Sequence, residues 1–577
     1  MSDLLTLQAL ASEFNIELPI LKVGETHTEK NYINKSISEA KRKSYPTITI
    51  ENCCNHACTV AFIDDDEKVI AFCAVKENIS KWPAALSEFK KLKFINLGIN
   101  KLATIPESIL NLPELEKLVL LSNRIRKLPT YIVNSSIEVY NEWPTRLSII
   151  NDDEKNTSSE REPWKGIILK QNPLSNPSIE IVSQGLSAIR EYFESAKDGM
   201  RPLHEVKLIL VGDGGAGKTS LVKRLKNKEF NPTEKQTRGI NIDSWEIKYP
   251  SYDVSARIWD FGGQEIMHST HQFFLSERSI YLLVLDGRKE EDAEYWVKHV
   301  TAFGGSSPII VILNKMDENP SFDLNMKFLQ NKYKIIQGFH RISCQNGNGV
   351  TELTKGIRDA INSIDIVKSM WPESWFLVKQ QLESMNKPYI DYEEYAKVCE
   401  DAGIERENSK DTLVKYLHDL GVVVRFEDFE LSNTHVLEPR WLTEAVYRII
   451  NSDIIAKNKG LLSLKDLKTI LKKDEKSIFT YPQKTHSYII GLMLKFDLCY
   501  RIDEEKVLIP DLLSVQEPDF NVKDANKFSF IISYDFLPKS VLARLIVLRQ
   551  EIIHKSLQWR TGVVFKHQLD DTYAVVR

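Results

Sequence analysis

Gly212, Asp213, Gly214, Gly215, Ala216, Gly217, Lys218 and Thr219 stand consecutively and spell G-x-x-x-x-G-K-T. Small residues at such spacing let backbone N–H groups turn toward phosphate oxygens, beside the positive end of a following helix. Lys218 would reach the β- and γ-phosphates, Thr219 would offer its hydroxyl to Mg²⁺, and Ser220 would open the helix. The apolar run 206–211 before the loop and the amphipathic stretch 220–227 after it supply the strand and helix that this chemistry needs. The loop speaks for a nucleoside triphosphate and says nothing about its base.

A second constellation is Asp260-Phe261-Gly262-Gly263-Gln264-Glu265, directly after the apolar run 256–259. Asp260 at a strand end suits water-mediated Mg²⁺ coordination. The Gly263 amide is placed to sense a γ-phosphate, and Gln264 to orient an attacking water. Asp-Phe-Gly also occurs in protein kinases. No H-R-D-x-x-x-x-N loop precedes it here and no A-P-E follows, so the kinase meaning is set aside.

The third constellation decides the base. Asn314-Lys315-Met316-Asp317 ends the apolar run 309–313. The Asp317 carboxylate can accept both guanine N1–H and the 2-amino group, a donor pair that adenine lacks. Asn314 would brace the loop and contact the purine, and Lys315 would lie over its face. Two weaker pieces complete the set. Thr237 lies between the first helix and the second strand, where a threonine can bind Mg²⁺ in the triphosphate state; the alternative is an ordinary loop threonine. Ser343 and Cys344 end the last strand, where their backbone would meet the guanine 6-oxo oxygen. GTP or GDP with Mg²⁺ is the ligand this set implies. Thr219, Thr237 and Asp260 are its metal residues, and Lys218 and Gln264 are its catalytic ones.

These residues need a scaffold. Apolar runs at 206–211, 256–259, 279–285, 309–313 and 339–342 alternate with amphipathic stretches, which predicts a mostly parallel sheet with helices between its strands. Upstream, Leu92, Ile95, Leu97, Asn100 and Leu102 fit L-x-x-L-x-L-x-x-N-x-L. Leu115, Leu118, Leu120, Asn123 and Ile125 fit it again, 115 − 92 = 23 residues later. Val69, Phe72, Ala74 and Ile79 make a weaker copy. Trp164, Ile167, Leu169, Asn172 and Leu174 make another, after an acidic insertion at 151–162. Leucine-rich repeats stacked in a solenoid are predicted, with a modest concave face for a protein partner. A helix over 178–196 would cap them. Beyond residue 370, helical stretches at 375–385, 392–402, 410–420, 440–450, 464–472 and 485–496 dominate, and 411–424 reads as a helix running into a small wing.

With these residues in view, the five nucleotide segments in order resemble a Ras-like GTPase. Residues 267–275, 281–284 and 295–296 are similar to the Ras-of-complex (Roc) domain of Roco proteins. The segments 371–375, 437–442, 534–538 and 559–564 resemble its C-terminal-of-Roc (COR) partner. The resemblance implies a multidomain α/β chain. Its parts are an unassigned region 1–64, leucine-rich repeats 65–177, a linker helix 178–204, a Roc GTPase domain 205–365, a mainly helical COR first part 370–522 with a winged-helix-like portion, and a COR second part 526–577. It further implies pairing of two chains through COR. No kinase domain follows, so kinase activity is not carried over. Residue 577 falls within a strand-like run early in the second COR part, which points to a fragment or to an incomplete dimerisation subdomain.

Composition bounds the rest. Of 577 residues, 42% are hydrophobic and 27% charged, which suits a globular chain, and the formal net charge of −4 gives no global pull toward nucleic acid. Apolar runs fall well short of a membrane span, and the N-terminus has no basic segment before its apolar one. Seven cysteines speak for reduced thiols and a cytoplasmic setting. The cluster Cys53, Cys54, His56 and Cys58 lacks a second ligand pair at finger-like distance, so buried thiols are preferred over zinc there. The expectation is a cytoplasmic guanine-nucleotide switch that hydrolyses GTP slowly. A nucleotide-binding interaction scaffold with little turnover is the rival.

Overall fold

Short β-prone runs repeat early in the chain, and longer ones alternate with helices later; each pattern builds its own sheet. The structure is a computed structural model. It describes residues 3–23, 59–134, 137–142, 165–234, 237, 239–262, 273–288, 293–364, 366–426, 431, 433–473, 478–520, 528–529, 531, 540–567 and 572–577. These fall into two compact units. The first is formed by residues up to 203 with 368–376 and 406–412, and the second by 204–367, 377–405 and 413–577.

In the first unit α1 (Asp3–Glu13) precedes a seven-stranded sheet. Its strands are β1 (Ile20–Lys22), β2 (Thr59–Ile63), β3 (Val69–Ala74), β4 (Phe94–Asn96), β5 (Lys117–Val119), β6 (Val139–Tyr140) and β7 (Gly166–Ile168), in the order β1-β2-β3-β4-β5-β7-β6. From β3 onward all pairings are parallel, and the register steps from Ala71 to Phe94 to Lys117, 23 residues each time. Such short strands are held by their neighbours, and asparagines complete the turns between them. Asn123 donates to the Leu97 carbonyl one turn earlier (2.9 Å) and accepts from the Leu102 amide (2.9 Å). Asn100 reaches the Ala74 carbonyl (2.8 Å), and Asn172 the Leu120 carbonyl (2.8 Å). The sheet includes β1 and β2, so it begins inside the region that sequence alone left unassigned.

The single helix expected over 178–196 is instead two, α2 (Ile179–Ser183) and α3 (Leu186–Ser195). Gly185 adopts φ +88°, outside the helical region, and breaks the run. Strand β8 (Met200–Pro202) follows.

The second unit carries a six-stranded sheet. It is built from β9 (Glu205–Val211), β10 (Ile240–Lys248), β11 (Asp253–Phe261), β12 (Ile280–Asp286), β13 (Ile309–Asn314) and β14 (Ile336–Arg341), in the order β10-β11-β9-β12-β13-β14. Only β10 runs antiparallel to its neighbour. Helices α4 (Lys218–Leu225), α5 (Ala293–Gly304), α6 (Met326–Lys332) and α7 (Val350–Ser363) connect the strands. β12 and β13 are buried along their whole length, as their unbroken apolar sequence demands. β10 was not among the predicted runs. It is the edge strand, and Asn241, Asp243 and Ser244 dilute its apolar residues.

Beyond the sheet come β15 (Met370–Pro372), which pairs with β8, then α8 (Glu373–Ser384), β16 (Tyr389–Asp391), α9 (Tyr392–Asp401) and α10 (Glu407–Asp419). They are followed by β17 (Thr434–Val436), α11 (Pro439–Ile450), β18 (Leu461–Ser463), α12 (His486–Lys495), β19 (Tyr500–Arg501) and β20 (Lys506–Leu508). Residues 422–424, expected to form a wing, make a single bridge between Val424 and Val436. The segment predicted as a helix over 464–472 holds only two short pieces, Leu464–Asp466 and Leu467–Ile470. Last come α13 (Ser540–Leu548) and an antiparallel sheet of β21 (Ile553–Trp559), β22 (Gly562–Lys566) and β23 (Tyr573–Val576). One apolar core runs from the six-stranded sheet, through Trp259, Phe273 and Phe274, into Trp441, Ile449 and Ile489 of the helical region. No helix among the described residues is long and apolar enough to cross a membrane.

Candidate nucleotide site

Parallel strands deliver their C-terminal ends to one edge of a sheet, and the loops that leave them share that edge. Here the edge holds a cavity of about 700 Å³. Gly214, Gly215, Gly217, Lys218, Thr219 and Ser220 form one wall, and Asn314, Lys315, Asp317, Cys344 and Gln345 another. Thr237 and Phe261 close a third side. Segments far apart in sequence therefore meet at one place. Gly212, Asp213 and Ala216 belong to the same loop without lining the cavity, and Ser343 is buried, its amide bonded to the Asn348 carbonyl (3.0 Å). Gly263 and Gln264, and the Cys53, Cys54, His56 and Cys58 cluster, lie outside the described residues.

The loop after β9 is shaped by glycine. Gly217 caps α4 with φ +96°, and a Cβ there would meet the Asn314 amide nitrogen at 2.3 Å. A larger residue would therefore push the two recognition loops apart. Lys218 folds over the loop, its Nζ donating to the carbonyls of Gly212 (2.7 Å) and Asp213 (2.9 Å). An anion in the loop would compete for that ammonium.

Asp260, one residue before the end of β11, is almost fully buried. Its Oδ2 accepts from the Thr219 hydroxyl (2.6 Å), and Thr219 lies 2.8 Å from the Thr237 hydroxyl. Its Oδ1 is buried with no hydrogen-bond partner. Burial raises the Asp260 pKa, with Thr219 and the Lys218 charge pulling the other way. A buried carboxylate with an orphaned oxygen and two hydroxyls converging on it fits a hard divalent cation, which prefers oxygen donors. Among the described residues no three His, Cys, Asp or Glu side chains gather to cage an ion. Phosphate and water would have to supply the remaining ligands, as Mg²⁺ ordinarily requires.

The base side is braced by Asn314. Its Nδ2 donates to the Ala216 carbonyl (2.9 Å), and its Oδ1 accepts from the Cys344 amide (3.1 Å). One buried side chain thus ties the phosphate loop to the last recognition loop. Lys315, at φ +63°, donates to the Gly215 carbonyl (2.5 Å) and to Asp286 (2.8 Å). Burial disfavours the Asp286 carboxylate, but hydrogen bonds from Arg288 and Lys315 outweigh it and hold that group far below the usual range. Burial pushes the Cys344 thiol up to about 12, so it stays protonated and unreactive at neutral pH.

Sequence reasoning missed Phe230, Glu234, Asp286 and Arg288. Phe230, Glu234 and Arg288 line the cavity, and Asp286 anchors Lys315. Phe230 carried a usable signal, a lone aromatic in an otherwise polar loop. Asp286 carried another, a carboxylate ending a wholly apolar strand.

Comparison with known proteins agrees with this geometry. The family described as "Ras of Complex, Roc, domain of DAPkinase" matches residues 207–317. The "C-terminal of Roc" COR-A and COR-B domains match 372–513 and 525–577. A solved structure, Methanosarcina barkeri Roco2 RocCORdC bound to GDP, is 52% identical with a TM-score of 0.54, covering 56% of this chain and 100% of that one. The probable serine/threonine-protein kinase pats1 of Dictyostelium discoideum is 29% identical over 68% of this chain and 14% of its own length. A Roc-COR-CHAT protease of Runella zeae is 28% identical over 72% of this chain and 48% of its own. The chain thus spans less than half the length of these curated relatives. A Ras-like α/β domain with its nucleotide-loop motifs, followed by both COR segments and matched by a half-identical Roc–COR structure, makes this chain a member of the Roco family.

Proposed function

We propose that the chain binds GTP and GDP together with Mg²⁺ and hydrolyses GTP slowly, as a molecular switch. The observation that carries this is the single cavity in which the phosphate loop, Thr237 and the Asn314–Asp317 loop face one another. The GDP held by the Methanosarcina relative supports the same reading. In it, loop amides and Lys218 hold the phosphates, Asp317 accepts the two guanine donors, and Lys315 and Phe230 flank the base. Thr219, Thr237 and Asp260 would hold Mg²⁺, which when bound neutralises charge on the phosphates. Gln264 orients the water, and catalysis rests on positioning rather than on a strong base. The site residues are those of the sequence reading, with Phe230 added.

The 23-residue register and the asparagine ladder favour leucine-rich repeats across 65–177, whose exposed face would take a protein partner. The remaining domain bounds of the sequence reading, a cytoplasmic location and pairing of chains through COR belong to the same proposal. Calorimetry of GTP, GDP and ATP, followed by single-turnover hydrolysis with wild type and Gln264→Leu, tests it. Guanine-selective binding with turnover lost in the variant is expected. ATP binding as well as GTP would overturn the guanine assignment, equal turnover in the two proteins would remove the role of Gln264, and no turnover in the wild type would leave a nucleotide-binding scaffold.

A further inference from the structure

Arg224 sits in the last turn of α4, outside every motif that marks the nucleotide site. Its Nε donates to the Cys344 carbonyl (2.6 Å) and its Nη2 to the Gln345 carbonyl (2.6 Å). One rigid fork on two consecutive carbonyls fixes the orientation of a peptide plane as well as its position. Cys344 and Gln345 both line the cavity, and so does Phe230, whose ring centroid lies 6.0 Å from the guanidinium carbon. A trans peptide sets its N–H opposite its C=O, so drawing the Cys344 carbonyl onto Arg224 turns the Gln345 N–H the other way. From the other side, Asn314 Oδ1 holds the Cys344 amide (3.1 Å).

From this geometry we infer that Arg224 is a positioning residue for base selection, resting on the guanine reading above. It withdraws two carbonyl acceptors of the 344–345 loop from the cavity and keeps the loop's N–H edge toward the 6-oxo oxygen of the purine. An acceptor turned inward would repel that oxygen and welcome the 6-amino group of adenine. Specificity is a difference of affinities, and removing a wrongly placed acceptor serves it as much as adding a donor. A lysine could supply one charge there, but not two donors in a fixed plane.

The test uses the full chain as wild type, Arg224→Gln and Arg224→Lys. Release rates are measured for GDP and for 6-thio-GDP, which keeps the N1–H and 2-amino donors and replaces the 6-oxo oxygen by sulfur. Wild type should hold GDP longer than the thio analogue. In Arg224→Gln, GDP release should quicken about tenfold while thio-GDP release changes little, so the preference collapses. Arg224→Lys should fall between the two. Equal acceleration of both nucleotides would mean a merely structural role and would overturn the inference, as would unchanged release of both. Wild type that binds no GDP would overturn the guanine reading itself, and this inference with it.

Discussion

At the scale of single residues, two side chains carry most of the expected nucleotide chemistry. Lys218 now spends its protons on the carbonyls of Gly212 and Asp213. A phosphate would offer it charge-assisted bonds of roughly twice the strength of neutral ones. Lys218→Ala should therefore weaken GTP binding by about tenfold or more, read by calorimetry. Unchanged affinity would remove the phosphate-loop assignment. Asp317 lines the same cavity opposite. Asp317→Asn exchanges a double acceptor for an amide, and a site that leaves buried polar groups unpaired rejects its ligand strongly. Guanine preference should vanish and xanthine nucleotide should gain. Competition of GDP against xanthosine diphosphate in the two proteins reads this directly.

Within single elements, packing decides what a polar side chain is for. Asn123 is a ligand for backbone: it serves the Leu97 and Leu120 carbonyls and the Leu102 amide at the turn after β5. Asn123→Ala leaves those buried groups unpaired and should cost about 1–3 kcal/mol, seen as a lower unfolding midpoint of the first unit. His435 on β17 is the opposite case. It is fully buried, packs on Tyr395 at 5.0 Å between ring centroids, and neither ring nitrogen finds a hydrogen-bond partner. Burial, helped by the nearby Arg425 cation, lowers its pKa to about 4. The unfolded chain takes up this proton below about pH 6.5, whereas the folded one refuses it until about pH 4. The contribution of His435 to stability should be level above that window and fall through it on acidification, by at most about 3 kcal/mol. His435→Phe should reduce the slope in a series of thermal melts across this pH range, the rest staying with His418, whose pKa burial also lowers. An unchanged slope would assign it to other groups.

For the whole molecule, Phe261, Phe273 and Phe274 share one apolar core with the helical region. Phe273 and Phe274 part company in the structure. Phe274 packs against Trp259 (5.7 Å) and Phe261 (6.2 Å) within the sheet domain. Phe273 turns to Phe496, just beyond α12, with ring centroids 4.4 Å apart. Lys207, buried on β9, fixes the chain there by donating to the Phe274 carbonyl (2.8 Å) and to the Ser276 hydroxyl (3.1 Å). Arg278 continues the contact through Asp419 (2.8 Å) at the end of α10. A segment ordered by γ-phosphate would thus push on the helical region through Phe273, and two sites that bias one element are coupled. Phe273→Ala should shrink the difference in dimer fraction between GDP and GTP-analogue forms. Phe274→Ala should chiefly lower stability, by about 3–5 kcal/mol for a buried aromatic. Light scattering over a range of concentrations, paired with thermal melts, separates the two. One identical mass in every nucleotide state would remove the coupling.

The motifs were legible because their chemistry is local. A glycine-rich loop between strand and helix, or a carboxylate closing an apolar strand, is written in consecutive residues, and Gly214, Gly215, Gly217 to Ser220, Thr237, Asn314, Lys315, Asp317 and Cys344 do meet at one cavity. The 23-residue period was legible because each asparagine recurs in phase with its strand and so returns as register. What sequence could not reveal depended on partners remote in the chain. The edge strand β10 hides its alternation because only one side of it is paired. The break at Gly185 looked like helix because its neighbours have helical spacing. Arg224 reads as a surface cation of an amphipathic helix, yet its two acceptors stand 120 and 121 residues away. Phe273 and Phe274 are adjacent and chemically identical, and only the tertiary structure sends one into the sheet domain and its neighbour to α12, because successive residues leave the backbone in different directions and each side chain packs where apolar surface is found.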